Sequence, residues 1–150
     1  MSLIQVIYAS RPLGFDEASL VSILGVSRSC NERDEITGAL ICREDLYLQL
    51  LEGPEAAVDA TFRRIEKDPR HANIRLLSRC PAVKRLFPLW AMRDDPARSW
   101  MWTRQEVAGG AVGRATAAEA IAIFERLSRE RLTAPLPLGA RLLAWLARKT

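Results

Sequence analysis

Three neutral polar side chains, Tyr8, Asn31 and Gln49, stand inside segments that are otherwise apolar or structure-forming. A phenol donates one hydrogen bond and accepts another, and a carboxamide has a donor end and an acceptor end that a flip interchanges. Buried without partners, such groups cost free energy, so an amide set mid-strand implies either a polar ligand or a network of side chains. Tyr8 falls in the alternating run Leu3-Ile4-Gln5-Val6-Ile7-Tyr8-Ala9-Ser10. Gln49 interrupts Tyr47-Leu48-Gln49-Leu50-Leu51, and Asn31 ends a helical stretch. Residues two apart on a strand share a face, so Tyr8 points with Ser10, and Gln49 with Tyr47 and Leu51. A flat heterocycle with imide-like donors and acceptors suits that trio. The alternative is a Tyr–Gln–Asn network that only ties strands to a helix, and composition alone favours it.

The elements that would position these groups follow from hydrophobic period and breakers. Residues 3–10 alternate as a strand, Pro12-Leu13-Gly14 breaks it, and a helix runs from about Asp16 to Asn31. Residues 37–43 and 46–52 read as two strands joined through Glu44-Asp45. Gly53-Pro54 opens a second helix with Val58, Phe62 and Ile65 on one face, ending near Lys67-Asp68-Pro69. A further strand is expected within 74–83, a fifth around Trp90–Arg93, and a loop over 94–114.

The order βαββαββ predicts an α+β, ferredoxin-like fold, with two helices on one face of a five-stranded mixed sheet. The strand around Gln49 is apolar on both faces, so both need cover. Thr116 and Glu119 form a capping-box pattern before the stripe Ala120, Ile123, Phe124, Leu127. Beyond Pro135 and Pro137 a last helix carries Leu138, Leu142, Trp145 and Leu146. These two C-terminal helices are expected on the opposite face of the sheet or at an oligomer contact.

The chain has 150 residues, 49% of them hydrophobic, enough for one domain with a sound core. No apolar run approaches the roughly 20 residues that span a bilayer, and no signal-like N-terminus is present, so a cytoplasmic protein is expected. The net charge is +4, and all of the excess lies after residue 113. Such dispersed charges usually form a solvated face, and nucleic acid is not an expected partner. Cys30, Cys42 and Cys80 form no CxxC pair and His71 is the single histidine, so neither a metal site nor a disulfide framework is indicated.

Five segments then change the balance. They are Tyr8-Ala9-Ser10; Ser27-Arg28-Ser29-Cys30-Asn31 followed by Ile36-Thr37-Gly38; Tyr47 through Pro54; Asp68-Pro69-Arg70-His71; and Arg85 through Met92. In this order and at these spacings they closely resemble the BLUF family of blue-light sensors that use FAD. The resemblance covers roughly residues 3–93, which it marks as a flavin-binding photosensory core. It leaves 94–150 as a linker with two capping or output helices.

The resemblance implies a role for each matched residue. Tyr8 matches the photoactive tyrosine that gives an electron and a proton to the excited flavin. Gln49 matches the glutamine whose amide rearranges to produce the red-shifted signalling state. Asn31 matches the asparagine at the pyrimidine-like end of the ring. Ser10 and Arg28 match positions near the pocket, and Arg64, Asp68, Arg70 and His71 match polar positions around the carbonyl edge and the ribityl-phosphate chain. Trp90 and Met92 match a pair on the last strand that carries the signal outward. Two departures are visible: Cys30 replaces the usual basic, imidazole or amide residue beside Asn31, and Glu44-Asp45-Leu46 replaces a hairpin that commonly holds glycine. No glycine-rich phosphate loop is present.

The expectation is a non-enzymatic photoreceptor binding FAD non-covalently, with a homo-oligomer contact or a separate effector protein as its output. Its rivals are a ferredoxin-like ligand-binding or interaction module without photochemistry, and a flavin-dependent enzyme. The enzyme is disfavoured because no nucleophile–base pair is visible.

Overall fold

A computed structural model describes residues 2–14 and 17–130. Five strands form one mixed sheet: β1 (Leu3–Pro12), β2 (Thr37–Arg43), β3 (Leu46–Pro54), β4 (His71–Pro81) and β5 (Arg93–Pro96). Their spatial order is β4-β1-β3-β2-β5, antiparallel throughout except that β5 runs parallel to β2. Helices α1 (Glu17–Asp34) and α2 (Glu55–Glu66) join the strands as the period predicted.

Local chemistry explains the ends of these helices. Glu35 takes a left-handed backbone (φ 59°) just past α1, and the Ile36 amide donates back to the Asn31 carbonyl at 2.9 Å. This is the six-to-one closure that commonly ends a helix. Pro54 presets the entry to α2, and Glu55 puts an acidic side chain in the first turn, where the helix dipole favours it. At Gly38 a Cβ would lie 1.9 Å from the Leu50 carbonyl oxygen, so only glycine lets β2 approach β3 this closely.

The sheet separates two cores. On one side Ile4, Val6, Tyr8, Leu40, Cys42, Tyr47 and Leu51 pack with Leu24 of α1, Val58 of α2 and Met92. On the other, Ile7, Ala9, Ala39, Ile41, Leu48 and Leu50 meet Phe87, Met101, Trp102 and helix α5 (Ala117–Ser128). Thr116 caps α5 by accepting from the Glu119 amide at 3.1 Å, and Ala120, Ile123, Phe124 and Leu127 are its buried residues, as the stripe predicted.

Two expectations need correction. The fifth strand does not begin at Trp90. The Gly38 amide donates to the Trp90 carbonyl and the Asn31 side chain to the Ala91 carbonyl, so those residues are held individually, and ladder pairing starts at Arg93 opposite Ala39. Nor is 94–114 only a loop. It contains α3 (Arg104–Ala108), started by a reciprocal capping box between Thr103 and Glu106, and a single turn α4 (Ala111–Arg114). The expected last helix around Leu138–Leu146 lies outside the described residues. Among those described, no helix is long and apolar enough to cross a membrane.

Candidate functional site

The register of β1 against β3 sets Tyr8 directly opposite Gln49. Both are buried on the face toward α1 and α2, and the Tyr8 hydroxyl donates to the Gln49 Oε1. The other end of that amide, Nε2, lies 3.3 Å from the Met92 sulfur, which accepts from it. Gln49 is therefore held between a phenol and a thioether, and a thioether is a weak acceptor. Burial pushes the Tyr8 phenol well above its ordinary range, with smaller contributions from Cys42, Asp68 and Tyr47. Tyr8 thus stays neutral, a proton donor. Its ring packs on Phe62 of α2, with centroids 5.5 Å apart.

Beside this pair the two helices leave a cavity of about 160 Å³. Its walls are Val26, Ser27, Cys30 and Asn31 from α1, Gln49 and Leu51 from β3, and Thr61, Arg64, Ile65, Asp68 and Arg70 from α2 and the turn after it. A second hollow of about 50 Å³ adjoins it, sharing Ser27, Gln49, Ile65, Asp68 and Arg70 and adding Tyr8, Tyr47 and His71. The lining is apolar with a few convergent polar groups.

Each polar group at the rim is braced. Asn31 Nδ2 donates to the Ala91 carbonyl at 2.8 Å, which fixes the amide and leaves its carbonyl oxygen available to the cavity. His71 Nε2 is 2.8 Å from the Ile65 carbonyl, which can only accept, so that nitrogen carries the hydrogen. Nδ1 is then the acceptor for the Ser10 hydroxyl at 2.7 Å. Arg70 holds both oxygens of Asp68 at 2.6 to 3.1 Å, and this keeps the Asp68 carboxyl below its ordinary value despite burial. Arg64 donates to Thr61 Oγ1 at 2.9 Å and reaches Asp34 at 3.4 Å.

Tyr8, Ser10, Asn31, Gln49, Arg64, Asp68, Arg70 and His71 thus gather at or just behind the two hollows. Arg28 does not. Its guanidinium turns away to the Met92 carbonyl at 2.9 to 3.0 Å and to Asp94 at 2.7 Å, tying α1 to the start of β5. Met92 touches Gln49, whereas Trp90 packs on the far core beneath the sheet. Both precede β5.

Other lining residues were legible only as helix faces. Ser27 with Cys30 and Asn31, and Thr61 with Arg64, Ile65 and Asp68, follow the i, i+3, i+4, i+7 spacing of one face. Glu52, within the matched segment Tyr47 to Pro54, carried no expected role. It is fully buried, and its carboxylate accepts from Gln5, Thr37 and the backbone amides of Leu86 and Phe87, at 2.7 to 3.2 Å. An acidic residue at the end of an apolar strand was the available signal.

A family model described as sensors of blue light using FAD matches residues 3–93. The chain belongs to that family, BLUF. One relative is a photoactivated adenylate cyclase subunit beta of Euglena gracilis, 34% identical over 80 residues, which are 53% of this chain and 9% of that protein. Another is the blue light- and temperature-regulated antirepressor BluF of Escherichia coli K12, 38% identical over 52 residues, 35% of this chain and 13% of that one. The chain spans about a tenth of the length of these curated relatives. Among solved structures, the BLUF protein BlrB in its dark state superposes with a TM-score of 0.62 at 32% identity, covering 98% of this chain and 93% of that one. Family membership disfavours the reading as a binding module without photochemistry.

Proposed function

We propose that the chain senses blue light through FAD held between α1 and α2, with Tyr8 and Gln49 as its photoactive pair and no enzymatic activity in the described residues. The observation that carries this reading is the direct Tyr8–Gln49 hydrogen bond at the edge of a cavity that also holds the Asn31 amide. The residues fit the group. Val26, Leu51 and Ile65 offer apolar surface for the faces of a flat ring, and Asn31 and Gln49 offer amides to its polar edge. Arg64, Asp68 and Arg70 supply charge around the rim. When bound, FAD supplies the blue absorption and, once excited, accepts one electron and one proton.

The chain's own residues do the rest. Tyr8 gives up an electron and its hydroxyl proton and later regains both, so no covalent change remains. During that cycle the Gln49 amide exchanges its donor and acceptor ends, by rotation or tautomerisation, because the partner that held Oε1 has transiently lost its hydrogen. In a water-poor pocket the new pattern is strengthened and felt by its neighbours. Met92, bonded to the Gln49 amide, is the first of these. Its backbone carbonyl is held by Arg28 and its chain continues directly into β5. Output passes from there to the far face of the sheet, and onward by self-association or a separate effector protein, in the cytoplasm.

The test is an absorption spectrum of the purified protein before and after blue illumination, with Gln49→Leu alongside. The wild type should carry FAD and shift to the red reversibly, while Gln49→Leu should keep FAD and lose the shift. A full red shift in Gln49→Leu would overturn the amide mechanism.

A further inference from the structure

The residues just before β5 lie outside its ladder, and three successive carbonyls are each held by a different group. The Gly38 amide holds Trp90 at 3.1 Å, the Asn31 side chain holds Ala91 at 2.8 Å, and Arg28 holds Met92. Only the last of these donors is charged, and charged donors make the stronger bonds. Arg28 Nε and one terminal nitrogen donate to the Met92 carbonyl at 3.0 and 2.9 Å, and the same terminal nitrogen reaches Asp94 at 2.7 Å. Arg28 thus straddles Arg93, whose own guanidinium lies over the Phe87 ring in the far core. Stability does not explain this arrangement. Asp94 is buried, and a buried ion pair gains little over apolar side chains of similar volume. What the pair fixes is the Met92 backbone, and with it the sulfur 3.3 Å from Gln49 Nε2.

We infer that Arg28, anchored by Asp94, is a positioning residue that shortens the life of the light-induced state by preventing Met92 from withdrawing from Gln49. The inference rests on the photosensory reading proposed above. When the Gln49 amide exchanges its ends, the end that faces Met92 turns from donor to acceptor. A thioether has no hydrogen to donate, so two acceptors then face each other. Withdrawal of Met92 relieves that contact and lets the new pattern persist. Arg28 opposes it from the backbone side, out of reach of the ring cavity. A clamp that bonds Met92 only in its starting position favours that state by its differential contact alone.

The full chain with FAD bound is illuminated, and the decay of the red shift is then followed in darkness. Arg28→Ala should keep its FAD and its dark spectrum, because the guanidinium does not line the cavity. Its decay should be roughly fivefold slower, somewhat less than the factor of about ten or more that a hydrogen bond to a charged group is worth. Arg28→Lys keeps a charged donor and should restore most of the wild-type rate. Arg79→Ala breaks ion pairs that tie β4 to α2, away from Met92, and should leave the decay unchanged. Wild-type or faster decay in Arg28→Ala, or equal slowing in Arg79→Ala, overturns the inference and leaves the photosensory reading standing. A wild type without any red shift sinks both. If Arg28→Ala does not fold, Asp94→Asn decides, since it leaves the Met92 bonds but loosens their anchor. Slower decay in that variant supports the clamp, and wild-type decay overturns it.

Discussion

The two faces of the sheet use the same strands and end in opposite conditions. Toward α5, Ile7, Ala9, Ala39, Ile41, Leu48 and Leu50 are sealed by Phe87, Met101, Trp102 and Phe124. Toward α1 and α2, the alternate residues of the same strands include Tyr8, Tyr47 and Gln49, and cavities remain between the helices. A strand alternates its side chains, so one ten-residue segment such as β1 contributes to both. The difference teaches that the incompleteness of the helix side is selective. The chain has the apolar residues to close a core and does so on one face only.

The largest effect that would sharpen this comparison is on photochemistry. Tyr8→Phe removes the hydroxyl but keeps the ring that packs on Phe62, so FAD should stay bound and the light-induced shift should vanish, read by difference spectroscopy. A persistent shift would deny the helix side its special role. On the sealed side, Phe124→Ala removes a fully buried ring that meets Phe87 edge-on at 6.4 Å. A loss of about 3–5 kcal/mol in urea unfolding is expected, with the spectrum of the folded fraction unchanged.

At the end of the sealed face lies Glu52, in line with Leu46, Leu48 and Leu50 on the same strand. Glu52→Gln keeps the shape but turns part of an acceptor that serves two backbone amides into a donor. About 1–3 kcal/mol of stability should be lost by the same measurement. An unchanged unfolding midpoint would show that the amides of Leu86 and Phe87 do not depend on this carboxylate.

The smallest effect is electrostatic. Arg98 holds the Glu130 carboxyl below its ordinary value, against the opposing pull of partial burial. A depressed carboxyl contributes stability above its unfolded value and loses it as pH falls through the folded one. The stability difference between wild type and Glu130→Gln should therefore be at most about 1 kcal/mol at neutral pH, as this half-exposed pair is solvent-screened. It should fade below about pH 4. A difference that grows on acidification would reverse the assignment.

Much of the fold was legible because its signals are local. The stripe of α5 and its Thr116 cap needed only a period and a hydroxyl, and the pairing of Tyr8 with Ser10 on one face needed only alternation. The start of β5 was missed because Trp90 to Met92 resemble a strand in composition while their backbone is held one group at a time by Gly38, Asn31 and Arg28. Those partners are about 50 to 64 residues away in sequence, and no window along the chain contains them. Arg28 misled for the same reason: it sits one residue past Ser27 of the cavity wall, and a helix turns by about 100° per residue, which sends it to β5 instead.

By itself the amino-acid sequence determined which side chains exist to do chemistry and which neighbours share their face, since covalent geometry sets those periods. Only the tertiary structure decided that Tyr8 stands opposite Gln49 rather than one residue along. A slip of one would have moved a whole strand's side chains to the other core. It also decided that Glu52 holds a distant loop and that Arg28 reaches the start of β5. Those outcomes depend on packing between elements far apart in the chain, where burial and hydrogen bonding, not local propensity, select the register.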